Sequence, residues 1–181
     1  LDYRISTGLT RPDYFDWPGH FNDIVRESPA PEVMVVVFGG NDSQGLKTPE
    51  GAIYQPGEPG WRSEYLRRVA GTMDLLRADG RLVIWVGQPV MRSADFSARM
   101  QALNEVYAEA ASTRPWVKFV PLFDLFAGPD GQYTAYLPGE DGQVELMRQA
   151  DGIHLSRAGG DRAATAILDA IYEVAGLPRG K

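Results

Sequence analysis

"EVMVVVFGGND", residues 32–42, reads as one strand running into one tight turn. From Val33 to Phe38 there is no polar interruption, and four of the six residues are valine. A strand with one wet face would alternate apolar and polar side chains. A continuous β-branched run is instead the pattern of a strand buried on both faces of a parallel sheet. Gly39 and Gly40 end the run, and Asn41 and Asp42 suit a tight turn because their side chains bond nearby backbone.

Working outward, two further runs have the same character, "RLVIWVG" (81–87) and "WVKFVPLF" (116–123). Helical spacing fills the intervals. A helix is predicted from near Arg62, with Leu66, Val69, Met73 and Leu76 on one face and Gly80 placed to end it. A second starts near Ala94 with Ser93 as N-cap, and turns Met100, Leu103, Val106, Tyr107 and Ala110 inward. "GDRAATAILDAIYEVAG" (160–176) reads as a closing amphipathic helix. The Gly- and Pro-rich stretch 40–60 is expected to be surface connection, and 128–143 a polar excursion. Tyr3–Ser6 reads as a short strand leading into a turn at Gly8 and then into an aromatic, Pro-containing loop. Strand, loop and helix in alternation predict an α/β protein, a three-layer α/β/α sandwich around a parallel sheet.

The 181 residues are of a size for one domain with a substantial core. Eighteen basic against twenty-four acidic side chains give a net charge of -6, with no basic stripe, which disfavours nucleic acid as a partner. "VMVVVF" is far too short to span a bilayer. No cysteine is present, so disulfides, thiolate metal sites and a cysteine nucleophile are excluded.

Ligands of parallel α/β sheets bind at the carboxyl ends of the strands, so two loops draw the chemistry. "FGGNDSQGL" is either a plain turn or part of a site; a phosphate-cradling reading lacks the Lys-Ser/Thr step into a helix. "QADGIHLSRAGG" (149–160) carries His154, one of two histidines in the chain. An aspartate three residues before a histidine in a loop can fold back onto one imidazole nitrogen and leave the other for a substrate. That is the orienter and base of a nucleophilic triad. The bland alternative is a turn followed by an N-cap at Ser156. A metal reading is poorer, because only His20 and no cysteine remain to complete a site.

"GGND" after a buried strand and "DGIHLSRAG" before the last helix resemble the third and fifth sequence blocks of the SGNH (GDSL-type) hydrolases, G-x-N-D and D-x-x-H, in the right order. "STGLTRPDYFDWP", "WVGQPVMR" and "DGIHLSRAGGDRAA" are similar to a bacterial, envelope-associated branch of that superfamily, formerly of unknown function. The resemblance implies a flavodoxin-like SGNH fold and a serine esterase without cofactor or metal. It makes Asp151 the orienter and His154 the general base, and gives the oxyanion to the Asn41 side-chain amide and the Gly8 backbone N–H. The implied substrate is a small acyl ester or an acylated glycan, with an O-acetyl group on an envelope glycan as the example. The implied location is periplasmic or secreted.

The family's nucleophile lies in a Gly-Asp-Ser motif just after the first strand, and no such tripeptide occurs among the 181 residues. Ser6 is too close to Gly8 to replace it, and Ser43 follows "GGND" rather than an N-terminal strand. The expectation is therefore a single SGNH hydrolase-like domain over 1–181, N-terminally incomplete and lacking its first strand, with a separate upstream segment carrying the serine as partner. An O-acyltransferase with the same triad and an inactive carbohydrate-binding module are the alternatives. Trp17, Trp61 and Tyr54 are candidates for stacking on sugar rings.

Overall fold

The computed structural model of the chain describes residues 1–178. In chain order its elements are α1 (Trp17–Ile24), β1 (Val33–Val36), the small hairpin β2 (Leu46–Lys47) and β3 (Ile53–Tyr54), α2 (Pro59–Leu75), β4 (Leu82–Val86), α3 (Ala94–Ser112), β5 (Val117–Val120), the hairpin β6 (Tyr136–Pro138) and β7 (Val144–Leu146), and α4 (Arg157–Ala175). The central sheet is parallel, in the order β1-β4-β5. Val36 lies opposite Trp85, and Trp85 opposite Phe119.

β4 shows why the sheet carries a layer on each side. Val83 and Trp85 face a core built with Trp17 and Phe21 of α1, Tyr65, Val69 and Met73 of α2, and Met100, Leu103, Val106 and Tyr107 of α3. Ile84 and Val86 face the opposite core, with Val120, Leu122 and Phe126 and with Ala163 and Ala170 of α4. Burying one such large side chain stabilises the fold by roughly 2–3 kcal/mol, so a strand buried on both faces is the best anchor for the loops at its end. The architecture is the expected three-layer sandwich.

β1 departs from expectation. Val36 and Phe38 are buried against the first core, but Val33, Val35 and Val37 are 42, 45 and 62% exposed. The reason is placement: α4 lies over β4 and β5. Among the described residues β1 pairs only with β4.

Other differences are local. Tyr3–Ser6 is an exposed turn rather than a strand, with Ser6 at φ 59°. Helix α1 lies in a stretch read as loop, capped by the Asp16 carboxylate on the Gly19 amide with Pro18 in the first turn. Helix α2 begins at Pro59, three residues before Arg62, because proline fits the first turn, where no amide partner is needed. The excursion at 128–143 folds into the β6–β7 hairpin. Among the described residues no helix is long and apolar enough to cross a membrane.

Candidate active site

The chain leaves β1 through Phe38 and turns at Gly40–Asp42, a single 3-10 turn closed by the Asp42 amide on Gly39 O at 2.7 Å. Turn chemistry points the two polar side chains in opposite directions. Asn41 is exposed and its side-chain amide has no hydrogen-bond partner among the described residues. Asp42 is fully buried. Its carboxylate accepts from the Thr10 amide at 2.9 Å, the Thr10 hydroxyl at 3.1 Å and the Tyr65 hydroxyl at 2.8 Å. Burial pushes its carboxyl above its ordinary value, and the hydrogen bonds from Thr10 and Tyr65 pull the other way. The Tyr65 hydroxyl is 2.9 Å from that of Tyr107, which donates to Phe38 O at 3.3 Å.

This buried carboxylate fixes Gly8 beside the turn. A Cβ at Gly8 would lie 2.2 Å from Asp42 Oδ1, so only glycine lets the 8–10 segment approach so closely. Arg68 holds the same segment from the other side, donating to Leu9 O at 2.8 Å and Thr10 O at 3.1 Å. The Gly8 N–H has no acceptor among the described residues. Gly8 is thus brought against Asp42, the chain neighbour of Asn41, 34 positions further along the sequence.

The second loop is short and solvent-facing. Asp151 Oδ1 accepts from the amides of Ile153 at 2.8 Å and His154 at 3.0 Å, and Oδ2 lies 2.6 Å from His154 Nδ1. Gly152 between them sits at φ +73°, a region other residues enter at a cost. The His154 side chain is 71% exposed and that of Asp151 42%. The His154 ring, with the two amides, holds the Asp151 carboxyl well below its ordinary value. In the neutral ring an ionised carboxylate accepts the Nδ1 proton and leaves the lone pair on Nε2, which has no partner among the described residues.

No hydrogen bond joins His154 to Asn41. The loop after β4, residues 87–93, spans the distance between them. Gln88, 7% exposed, donates to Phe38 O at 2.6 Å at the foot of the first loop. At the other end the Arg92 amide donates to Gly152 O at 3.2 Å, and its guanidinium to Ala150 O at 2.8 Å. Three loops at the carboxyl edge of the sheet are therefore one connected structure.

Neither Ser6 nor Ser43 is disposed as a nucleophile. Ser6 lies in the exposed N-terminal turn, and Ser43 is 5% exposed with its hydroxyl on Gly40 O at 2.9 Å. Ser93 and Ser156 cap α3 and α4. Trp17 and Trp61 are 7% and 3% exposed and belong to the core, which leaves them little face for stacking on a sugar ring. Tyr54 is half-buried, its ring against Gly60. A cavity of about 480 Å³ between α2 and α3 is lined by Ser43, Pro56, Pro59, Trp61, Ala98 and Ala102. Among the described residues no cluster of three or more His, Asp and Glu side chains could hold a metal ion. Sequence reasoning took Asp42 only as a turn former and passed over Gln88, Arg92 and Arg148.

The family model described as "Protein of unknown function (DUF459)" matches residues 1–170. No curated protein sequence matches the chain. Several solved structures are similar in fold. One is described as a platelet activating factor from Streptococcus pneumonia, 21% identical with a TM-score of 0.56, covering 79% of this chain and 61% of its own length. Another is TesA, 21% identical with a TM-score of 0.54, over 87% of this chain and 71% of that one. A GDSL-like lipase from Bacteroides thetaiotaomicron is 19% identical with a TM-score of 0.56, over 91% of this chain and 81% of the lipase. The chain thus spans less than two thirds of the first of these proteins.

Proposed function

The chain belongs to the DUF459 family and has the fold of GDSL-type hydrolases, and from that premise we propose that it is the base-bearing and oxyanion-bearing part of a serine esterase acting on an acyl ester. The observation that carries the reading is the His154–Asp151 pair, 2.6 Å apart at Nδ1 with Nε2 unpartnered among the described residues, in a loop tied through Arg92 and the 87–93 loop to Phe38, at the foot of the turn that carries Asn41.

In the proposed reaction His154 Nε2 takes the proton from a serine hydroxyl as its oxygen attacks the ester carbonyl carbon. The carbonyl oxygen gains the negative charge and is met by the Asn41 amide and the Gly8 N–H. Such a preorganised donor typically lowers the barrier by about 3–4 kcal/mol. The imidazolium, steadied by Asp151, returns its proton to the leaving alcohol as the carbon–oxygen bond breaks. Water then repeats the sequence on the acyl-enzyme.

The serine in this reading comes from a segment outside residues 1–181, carried on a strand beside β1. What supports it is the engagement of Ser43, Ser93 and Ser156 and the unpaired edge and exposed valines of β1. The acyl group is taken to be small, an O-acetyl group on a glycan, with the cavity at Ser43 receiving the substrate beyond the ester.

The test uses the complete protein, with this chain and whatever polypeptide accompanies it. A fluorophosphonate probe should modify one serine outside residues 1–181, and the modification should disappear in His154→Ala. Acetate release from an O-acetylated glycan should follow the same dependence. Modification of Ser43, or no modification with intact fold, rejects the reading.

A further inference from the structure

Beneath the Asp151–His154 turn lies Arg148, 1% exposed and one of the largest fully buried side chains of the protein. Among the described residues no carboxylate pairs with it. Its Nη2 donates to Ile153 O at 3.0 Å and Gly152 O at 3.4 Å, and lies 3.1 Å from Met91 Sδ. The rings of Tyr133 and Phe126 flank the guanidinium, with centroids 5.5 and 5.9 Å away. Its Nε and Nη1 have no hydrogen-bond partner among the described residues.

A buried guanidinium is costly unless its charge and protons are well met, and here most of them are not. Packing does not require it: an unbranched apolar side chain such as methionine would fill a box of Met91, Phe126 and Tyr133 without that cost. The return is confined to two carbonyls, and these belong to the two residues between Asp151 and His154. Both point inward, away from solvent, and need donors. Gly152 O has a second donor in the Arg92 amide at 3.2 Å, whereas among the described residues the Ile153 carbonyl has none but Arg148. A planar guanidinium reaches both carbonyls from one place, which a lysine ammonium does less well.

We propose that Arg148 is the positioning residue of the Asp151–His154 pair: it pins the Gly152–Ile153 backbone from below and so fixes the imidazole against the carboxylate. It does not touch the ring and is not a catalytic residue. The functional meaning rests on the esterase reading; the positioning itself does not. Asp151 supports the separation of roles, since its oxygens are all directed to the Ile153 and His154 amides and the His154 ring, and none to Arg148. Burial lowers the Arg148 pKa, and the nearby Tyr133 and Asp151 oppose that.

The test reads the imidazole directly and needs no turnover. With two histidines in the chain, His20→Gln leaves His154 as the only imidazole signal. In nitrogen-detected NMR, His154 should carry its proton on Nδ1 and exchange it slowly with water. Arg148→Met should speed that exchange by at least about tenfold and shift the tautomer toward Nε2–H, with Arg148→Lys falling between. Unchanged exchange and tautomer in a folded Arg148→Met overturns the proposal. If that variant does not fold, Arg148→Lys is decisive in the same way. If neither folds, Arg148 serves the core rather than the pair, and the proposal is again overturned. A complete protein that forms no acyl-enzyme, yet shows the Arg148-dependent signal, rejects the esterase reading and leaves the positioning role standing.

Discussion

Asp42 lies at the bottom of the loop after β1, and Asp151 at the rim of the loop before α4. Each accepts three hydrogen bonds of 3.1 Å or less. Their pKa values are nevertheless pushed in opposite directions, up for Asp42 and down for Asp151. Hydrogen-bond number is therefore not what separates them. Desolvation is: Asp42 has lost its water, and its three donors do not make up for it, while Asp151 keeps its water and gains an imidazole besides. The buried carboxylate holds a shape, and the exposed one stays charged for use.

The comparison breaks most visibly at His154. His154→Ala in the complete protein should lower kcat by about 10⁴-fold or more. Stability should move by no more than about 0.5 kcal/mol, because the side chain is largely in solvent. Kinetics of acyl-enzyme formation beside urea melts would show both. A large loss of stability would mean that the rim loop carries the fold after all.

Asn41→Ala should reduce kcat by about 10²- to 10³-fold at nearly constant melting temperature. Its neighbour should do the reverse. Asp42→Ala leaves the Thr10 amide, the Thr10 hydroxyl and the Tyr65 hydroxyl without their acceptor, and should cost about 2–4 kcal/mol of stability. If urea unfolding finds Asp42→Ala as stable as the parent, the buried network is not what holds the 8–10 segment to the turn after β1.

The subtlest difference lies in pH. The raised Asp42 pKa adds stability that is fully present below the unfolded-state value, near 4, and is lost as pH rises through the folded value. Asp151, with its lowered pKa, adds stability that is present above that same unfolded value and is lost as pH falls. Relative to the parent, Asp42→Asn should therefore gain stability as pH rises from 3 to 7 (about the carboxylate range), and Asp151→Asn should lose it. The Asp151 effect should be small and should shrink with salt, since the group is exposed. Parallel slopes for the two variants would erase the distinction.

Much of this was legible in the chain because it is local. The apolar run at Leu82–Val86, the Ser93 cap and the inward face Met100, Leu103, Val106, Tyr107 and Ala110 follow from spacing and capping chemistry, and all appear in the structure. Helix α1 was legible in principle from Asp16 and Pro18, but the aromatic residues around it gave the look of a loop. Tyr3–Ser6 misled because alternating side chains make a strand only when a neighbour pairs with them. The exposed face of β1 was unreadable for the same kind of reason: "VMVVVF" states that valines are there, and only the path of α4 decides which are covered. Within the site, Asn41, Asp151 and His154 stand out as polar residues in turns. Gln88 and Arg148 do not, since a buried polar side chain is defined by the distant carbonyls it meets, and those are set by tertiary packing.

The Tyr65–Tyr107 contact has a consequence at the alkaline end. Burial raises both phenols well above their ordinary value, so in the folded chain they keep their protons where free tyrosine has lost its own. Unfolding releases them, and each phenol then erodes stability by about 1.4 kcal/mol per pH unit above the unfolded value, near 10. These two phenols set an alkaline ceiling on the fold. Their phenolate absorbance should appear only as the protein opens, which makes the pair an intrinsic optical reporter of the contact that ties Asp42 to the sheet.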